Sequence, residues 1–359
     1  MKNKKKIMRH GDFVMRRRDD MEIFIRVDAN QSIGYGHLMR CVSLADGFQL
    51  LGHISTFISD ELTVRQYLLG RDYKVVATDA LDRIDDERKR IIILDGYHFT
   101  NELITQYSQT FVLSVFFDDF LDEKKNVDGI INTAVTANYE LPYAVKFKYF
   151  GAQFVLLRQE MIRVLKKYKP KALNSVTKNV LVTTGGTDHH GILTWLPMLL
   201  KQNFKFSKIN LLCGGGGEAK KRLETLYASD DNIQCYVDVD AEMVAELMAN
   251  SDFAISSGGS TLYELAAFGV PTMVIKTAQN QERLIAQFVE NKAVYDLGLA
   301  EILKEKRIID VVGQLYENAN MRQKLSKRMS QLVNEEGAFL LAEQIILDYN
   351  MKIEECNEK

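Results

Sequence analysis

The segment Ile33-Gly34-Tyr35-Gly36-His37-Leu38-Met39-Arg40 sets a histidine at the start of a helix, directly after a tight glycine turn. A helix N-terminus carries partial positive charge and disfavours the imidazolium, so a histidine there tends to stay neutral near pH 7 and can accept a proton. That is the chemistry of a general base; the plainer alternative is a histidine that only caps its helix. The polar neighbours Asp28, Asn30 and Arg40 favour the base. Gly34 and Gly36 also look like the start of a dinucleotide fingerprint, but Met39 stands where its third glycine belongs, which argues against a nicotinamide cofactor.

Two further loops of the first half carry reactive groups. In Asp95-Gly96-Tyr97-His98, Tyr97 can hold a water or a substrate group, or simply be a half-buried aromatic. Phe116-Phe117-Asp118-Asp119 brings two carboxylates together, but adjacent residues of a strand point to opposite faces, so they are poorly placed as an acid and base pair and one of them is expected to serve structure.

The second half offers three glycine-rich loops, Gly185-Gly186-Thr187-Asp188, Gly214 to Gly217, and Ser256-Ser257-Gly258-Gly259-Ser260-Thr261. The last runs into a helix from Leu262 to Phe268, so backbone N–H groups and hydroxyls gather at a helix N-terminus, an arrangement that suits a diphosphate. Glu264, one turn further, can accept hydrogen bonds from ribose hydroxyls, and no Walker lysine follows the glycines, which argues against an ATPase. In Ala278-Gln279-Asn280-Gln281 the amides can pair with sugar hydroxyls or serve as a helix cap. His189 and His190 have no carboxylate or cysteine partner at ligand spacing, so no metal site is expected.

The elements that must position these loops alternate strand and helix. Strands are expected at Glu22 to Val27, Ile54 to Ile58, Lys74 to Ala77, Ile91 to Leu94, Phe111 to Phe117 and Gly129 to Asn132, then at Asn179 to Thr184, Ile209 to Cys213, Ile233 to Val237, Phe253 to Ser256 and Thr272 to Ile275. Several are continuous apolar runs, as parallel strands covered on both faces require. The expected class is α/β, with two Rossmann-like doubly wound parallel-sheet domains facing a cleft, residues 21–170 and 171–335. Arg163 to Thr177 reads as the linker, the last fifty residues as helical, and 336–359 as a C-terminal helix.

The chain has 359 residues, 46% hydrophobic and 26% charged, which is ordinary globular composition. No apolar run approaches the roughly 18 residues a membrane helix needs, so no membrane partner is expected. Residues 1–20 hold eight Lys/Arg against three Asp, a net of +5, so a chain of net −2 carries −7 over residues 21–359. An acidic body argues against a nucleic-acid groove. The basic stretch reads as a disordered extension, because Met21 immediately precedes the first convincing strand. The four cysteines lack metal-ligand spacing and read as free thiols of a reducing cytoplasm.

Taken together, Arg26-Val27-Asp28-Ala29-Asn30 and the glycine turn ending in His37 resemble the opening of the PseG-type UDP-sugar hydrolases of pseudaminic acid synthesis and the related spore-coat polysaccharide proteins. The resemblance continues through Leu94 to Tyr97, Phe117 to Asp119, Phe150-Gly151, Leu157 to Glu160, Gly185 to Asp188, Ser257 to Glu264 and Asn280-Gln281, in order over roughly residues 22 to 282. It implies a GT-B fold, similar to the glycosyltransferase that adds N-acetylglucosamine to lipid I. It also implies hydrolysis of UDP-2,4-diacetamido-2,4,6-trideoxy-β-L-altropyranose, with inversion, C–O cleavage and neither metal nor cofactor. Carried over by motif, His37 would be the base and Tyr97 would help hold the attacking water. Asp28, with the neighbouring Asn30, Gly34, Gly36 and Arg40, would lie on the sugar side; Gly186, Thr187, Gly259, Ser260, Thr261 and Glu264 would hold diphosphate and ribose; Asn280 and Gln281 would face the sugar.

The chain departs from that pattern at Gly96, where the family more often has a polar residue or histidine, at Gln279, where an acidic residue is commoner, and at Glu335-Glu336-Gly337-Ala338-Phe339, which lacks an arginine after the Gly-Ala pair. A glycosyltransferase using the same donor, a spore-coat hydrolase with another UDP-sugar, and a non-catalytic nucleotide-sugar binder are the competing readings; the last has no need of His37. A monomer is the default for this architecture.

Overall fold

The computed structural model describes residues 21–29, 35–83, 90–134, 140–168, 177–214 and 216–358. The basic stretch 1–20 and the predicted site residues Asn30 and Gly34 lie outside the described residues.

The first domain is a seven-stranded sheet of β1 (Glu22–Val27), β2 (Ser55–Ile58), β3 (Lys74–Val76), β4 (Arg90–Asp95), β5 (Leu113–Phe117), β6 (Gly129–Asn132) and β7 (Phe147–Phe150), in the order β3-β2-β1-β4-β5-β6-β7. The pairs are parallel. Helices α1 (Gly36–Leu50), α2 (Leu62–Leu69) and α3 (Asn101–Thr110) make crossovers between its strands. Ile91, Ile92, Ile93 and Leu94 of β4 are fully buried, as a central strand covered on both faces demands. Each such side chain contributes on the order of 1.5–3 kcal/mol.

After α4 (Gln159–Lys167) comes a second parallel sheet of β8 (Asn179–Gly185), β9 (Lys208–Cys213), β10 (Ile233–Val237), β11 (Phe253–Ser257), β12 (Thr272–Lys276) and β13 (Val294–Leu299), in the order β10-β9-β8-β11-β12-β13. Its helices are α5 (Ile192–Asn203), α6 (Gly216–Leu226), α7 (Ala241–Asn250), α8 (Thr261–Ala267) and α9 (Glu282–Glu290), followed by α10 (Glu305–Glu317), α11 (Ala319–Ser330) and α12 (Gly337–Asn357). Both sheets have the doubly wound order, reversing between β1 and β4 in the first and between β8 and β11 in the second. Crevices at the carboxyl ends of strands at such reversals are where ligands bind in open α/β sheets. Val27 pairs with Asp95, and Ser256 with Thr183, so the loops that follow leave each sheet level with one another.

Three features of the fold stand outside the sequence pattern. The edge strands β7 and β13 were not foreseen. The expected linker starts as helix, because α4 presents Met161 and Ile162 to the second domain's core beside Val244 and Met248 of α7; a division at residue 170 would separate α4 from the core it completes. The C-terminal helix α12 returns to the first domain, where Leu341, Ala342 and Ile345 join the core of β1 and α1. Two glycines permit that return. A Cβ on Gly47 would stand 2.3 Å from the Ala338 carbonyl oxygen, and one on Gly337 would stand 2.1 Å from that of Val155.

Candidate active site

His37 sits in the first turn of α1 and is 7% exposed. Its Nδ1 lies 2.7 Å from Oδ1 of Asp95, the fully buried last residue of β4. A carboxylate only accepts and is the nearer partner, while Arg40 Nη2, 3.0 Å from the same nitrogen, already donates to Asp95 Oδ1 at 2.5 Å; the hydrogen is therefore placed on Nδ1 and the lone pair on Nε2. One turn along α1, Arg40 donates to both Asp95 oxygens at 2.5 Å through Nε and Nη2, and from Nη1 to both oxygens of Asp119 at 2.8 and 3.0 Å. Its guanidinium lies 4.6 Å from the centre of the Phe117 ring. Tyr97 donates to Asp119 Oδ2 at 2.9 Å and sets its ring edge-on to His37, 4.5 Å between centroids. The five side chains form a closed ring, His37, Asp95, Arg40, Asp119 and Tyr97.

The electrostatics follow from that ring. Burial works against ionisation of Asp95, but the charge of Arg40 and the hydrogen bonds from Arg40 and His37 outweigh it, and the carboxyl is held below its usual range. Burial likewise opposes the charge on Arg40, and the two aspartates more than restore it. Burial and the neighbouring Asp119 push the Tyr97 phenol upward, so it stays protonated. Cys41, whose thiol donates to Asp95 at 3.4 Å, is pushed up by burial and by that carboxylate. Arg40, expected as a sugar contact, is thus committed to the carboxylates on either side of it. Asp118 does serve structure, accepting the backbone N–H groups of Phe120 and Leu121.

Asp28, at the end of β1, is nearly buried and accepts from Arg26 and Ser59. Gly36 opens α1 with space where a Cβ would stand.

In the second domain Gly185 has φ +74°, in the left-handed region that favours glycine, and turns the chain at the end of β8. Gly214 donates to its carbonyl at 2.9 Å, and a Cβ at 214 would stand 2.5 Å from the Gly186 carbonyl oxygen, so these two glycine loops touch. Gly186 and Gly259 have nothing within 4 Å of a would-be Cβ, and Thr187 and Ser260 are exposed: open backbone and hydroxyls line this crevice. Ser260 stands at the N-cap position of α8 with no side-chain capping bond, and Thr261 begins the helix. Thr184, which the sequence gave no reason to single out, keeps a buried hydroxyl with no partner among the described residues.

Glu264 accepts from Arg158 Nη2 at 3.0 Å, a pairing across 106 residues that steadies one carboxylate oxygen; the other has no partner among the described residues. Gln281, expected to face the sugar, also has protein partners. Its Oε1 accepts the N–H groups of Gly258 at 3.2 Å and Thr277 at 2.9 Å, and its Nε2 donates to Thr277 Oγ1, so it clamps the β11 loop to the β12 loop. The side chain of Asn280 lies outside the described residues. From the start of α9, Arg283 donates to the carbonyls of Phe120 at 2.6 Å and Asp119 at 3.3 Å, joining the second domain to the loop that bears Asp119. Among the described residues no group of His, Cys, Asp and Glu could hold a metal ion, and no helix is long and apolar enough to cross a membrane.

Residues 179–345 match the glycosyltransferase family 28 C-terminal domain. That stretch spans β8 to α12 and contains the glycine loops and Glu264. The described residues have the GT-B fold: the chain superposes on Acinetobacter baumannii MurG with a TM-score of 0.66 at 12% identity, covering 90% of this chain and 99% of MurG. It superposes on CalG4, the calicheamicin glycosyltransferase, with a TM-score of 0.63 at 12% identity, covering 93% and 98%. Among sequence relatives, an uncharacterised Methanocaldococcus jannaschii protein is 26% identical over 272 residues, 71% of this chain and 55% of that protein, so the matched region spans about half its length. The Bacillus subtilis spore coat polysaccharide biosynthesis protein SpsG is 22% identical over 345 residues, 88% of this chain and 95% of SpsG. The UDP-2,4-diacetamido-2,4,6-trideoxy-beta-L-altropyranose hydrolase of Campylobacter jejuni is 23% identical over 274 residues, 73% of this chain and 94% of the hydrolase.

Proposed function

We propose that this GT-B chain is a UDP-sugar enzyme that hydrolyses UDP-2,4-diacetamido-2,4,6-trideoxy-β-L-altropyranose, or a closely related UDP-sugar, to the free sugar and UDP. The observation that carries the reading is the His37–Asp95 pair, a histidine with its Nε2 lone pair left to act, at the strand ends of the domain that lacks the glycine loops. Similarity to the Campylobacter jejuni hydrolase supports the substrate class.

UDP leaves as a stable anion, so no general acid is obligatory if the glycine loops and the start of α8 receive the developing charge. His37 Nε2 takes a proton from water while the water oxygen attacks the anomeric carbon and the bond from that carbon to the diphosphate oxygen breaks. Asp95 stays ionised and stabilises the imidazolium as it forms, and the Tyr97 oxygen, whose hydrogen is given to Asp119, can accept from the same water. A single displacement inverts the configuration. General-base assistance of this kind contributes about 10²–10⁴-fold. Gly186, Thr187, Gly259, Ser260, Thr261 and the second oxygen of Glu264 are the proposed contacts of diphosphate and ribose.

A second reading, transfer of the sugar to an acceptor, is favoured by the match to a glycosyltransferase domain. Incubation with a panel of UDP-sugars, with and without candidate acceptors, and NMR of the products separates the two. UDP release without acceptor and with inversion, abolished in His37→Ala while UDP binding persists, is the expected result. Release only on addition of an acceptor would establish transfer, and retained turnover in His37→Ala would remove the base assignment.

A further inference from the structure

The crevice beside His37 holds a second histidine and carboxylate that the mechanism above does not use. Asp28 Oδ1 is taken by Arg26 Nη1 at 2.5 Å and Ser59 Oγ at 2.9 Å, and His98 Nε2 stands 3.0 Å from Oδ2. The carboxylate expected to meet the sugar is therefore occupied by protein groups, and His98 is the one of these turned outward: its side chain is 42% exposed against 11% for that of Asp28. The imidazole rests on Phe99, 4.2 Å between centroids, and folds back over Gly96. A Cβ at position 96 would stand 2.8 Å from His98 Cε1 and 3.0 Å from Nδ1, so the ring occupies the space of a residue-96 side chain, which would have to displace it.

Because a carboxylate has no hydrogen to give, the nitrogen facing Asp28 is the protonated one, which leaves Nδ1 as an acceptor. No donor reaches Nδ1 among the described residues. Tyr97, which precedes His98 in the chain, faces His37 and Phe120 instead, so the His98 ring stands on the Asp28 side of these strand ends. The donors that set a diacetamido sugar apart from a common UDP-hexose are its acylamino N–H groups, and a fixed, exposed acceptor at these strand ends suits one of them.

We propose that His98 is a specificity-determining residue whose Nδ1 accepts a hydrogen bond from an acylamino N–H of the sugar, with Asp28 and Gly96 fixing its ring. The inference rests on the UDP-sugar reading above, so its test is made by binding rather than by turnover. Calorimetry on His37→Ala protein, in which hydrolysis does not deplete the ligand, measures the affinity of the UDP-diacetamido sugar and of two analogues in which one acetamido group at a time is replaced by hydrogen. One replacement should weaken binding about tenfold, the worth of one hydrogen bond. The same replacement should cost less than about twofold once His98→Leu is added, because the partner is already gone. His98→Asn, whose Oδ1 can stand near the Nδ1 position, should restore part of the discrimination. Equal losses with and without the imidazole at both sugar positions would overturn the proposal. If the coupling is present but wild-type protein hydrolyses none of these compounds, the hydrolase reading fails and the role of His98 stands.

Discussion

Exchanging Asp95 for asparagine isolates what the buried carboxylate does for His37, since the new side chain has almost the same shape and no charge. In the wild-type protein Asp95 accepts from His37 Nδ1 at 2.7 Å and twice from Arg40 at 2.5 Å. Asparagine can present its NH₂ group to the imidazole, which then accepts at Nδ1 and carries its hydrogen on Nε2, the wrong tautomer for a base. The charge that stabilises the imidazolium is lost as well. We expect kcat for UDP release to fall by about 10³–10⁴-fold, the loss of both base orientation and charge compensation. KM and the affinity for UDP should change by less than about threefold, because the glycine loops belong to the other domain. Breaking a buried ion pair costs about 3–5 kcal/mol, and the lower end applies because Arg40 keeps Asp119. The pH dependence gives a second readout. Since the folded pKa of Asp95 lies below its ordinary value, its contribution to stability is present above about pH 4 and fades as pH falls through the folded value. Asp95→Asn should lack that acid limb in urea titrations at graded pH. Turnover within about threefold of wild type would refute the orientation argument, whatever the stability.

Other consequences are simpler to read. Gly337→Ala drives a Cβ to within 2.1 Å of the Val155 carbonyl oxygen and should destabilise by about 1–3 kcal/mol in chemical denaturation, through backbone displacement at the root of α12; an unchanged midpoint would show that α12 can shift freely. Alkylation at pH 8 followed by mass spectrometry should modify exposed Cys356 in the native protein and spare buried Cys41 and Cys213, the latter pushed by burial up to about 11, whereas all four cysteines should react in denaturant. Arg283→Ala removes the link from α9 to the Asp119 loop; because the side chain is exposed, unfolding stability should change by less than about 0.5 kcal/mol, while kcat should drop several-fold through misplacement of Tyr97 and Arg40. An unchanged kcat would separate the two loops functionally.

Much of the architecture is local and therefore legible in the chain itself. Continuous apolar runs such as Ile91 to Leu94 read as strands covered on both faces, and the glycine-rich segments before His37 and Leu262 mark helix starts because they interrupt the apolar pattern just before a helix-period run begins. The strands that escaped this reading are the sheet edges, where burial is partial: β7 exposes Lys148, and β13 contains Asp296 and Gly298, so the apolar pattern is short or broken. Tertiary structure alone decided the polar partnerships. Arg40 meets Asp95 and Asp119 across 55 and 79 residues, and Arg158 meets Glu264 across 106. Hydrophobic periodicity fixes which face of an element is buried, but not which charged group from a distant strand end arrives opposite it; that depends on strand order and register. For the same reason the clamp that Gln281 makes between two loops, and the outward-facing partnership of His98 with Asp28, were legible only in the tertiary structure.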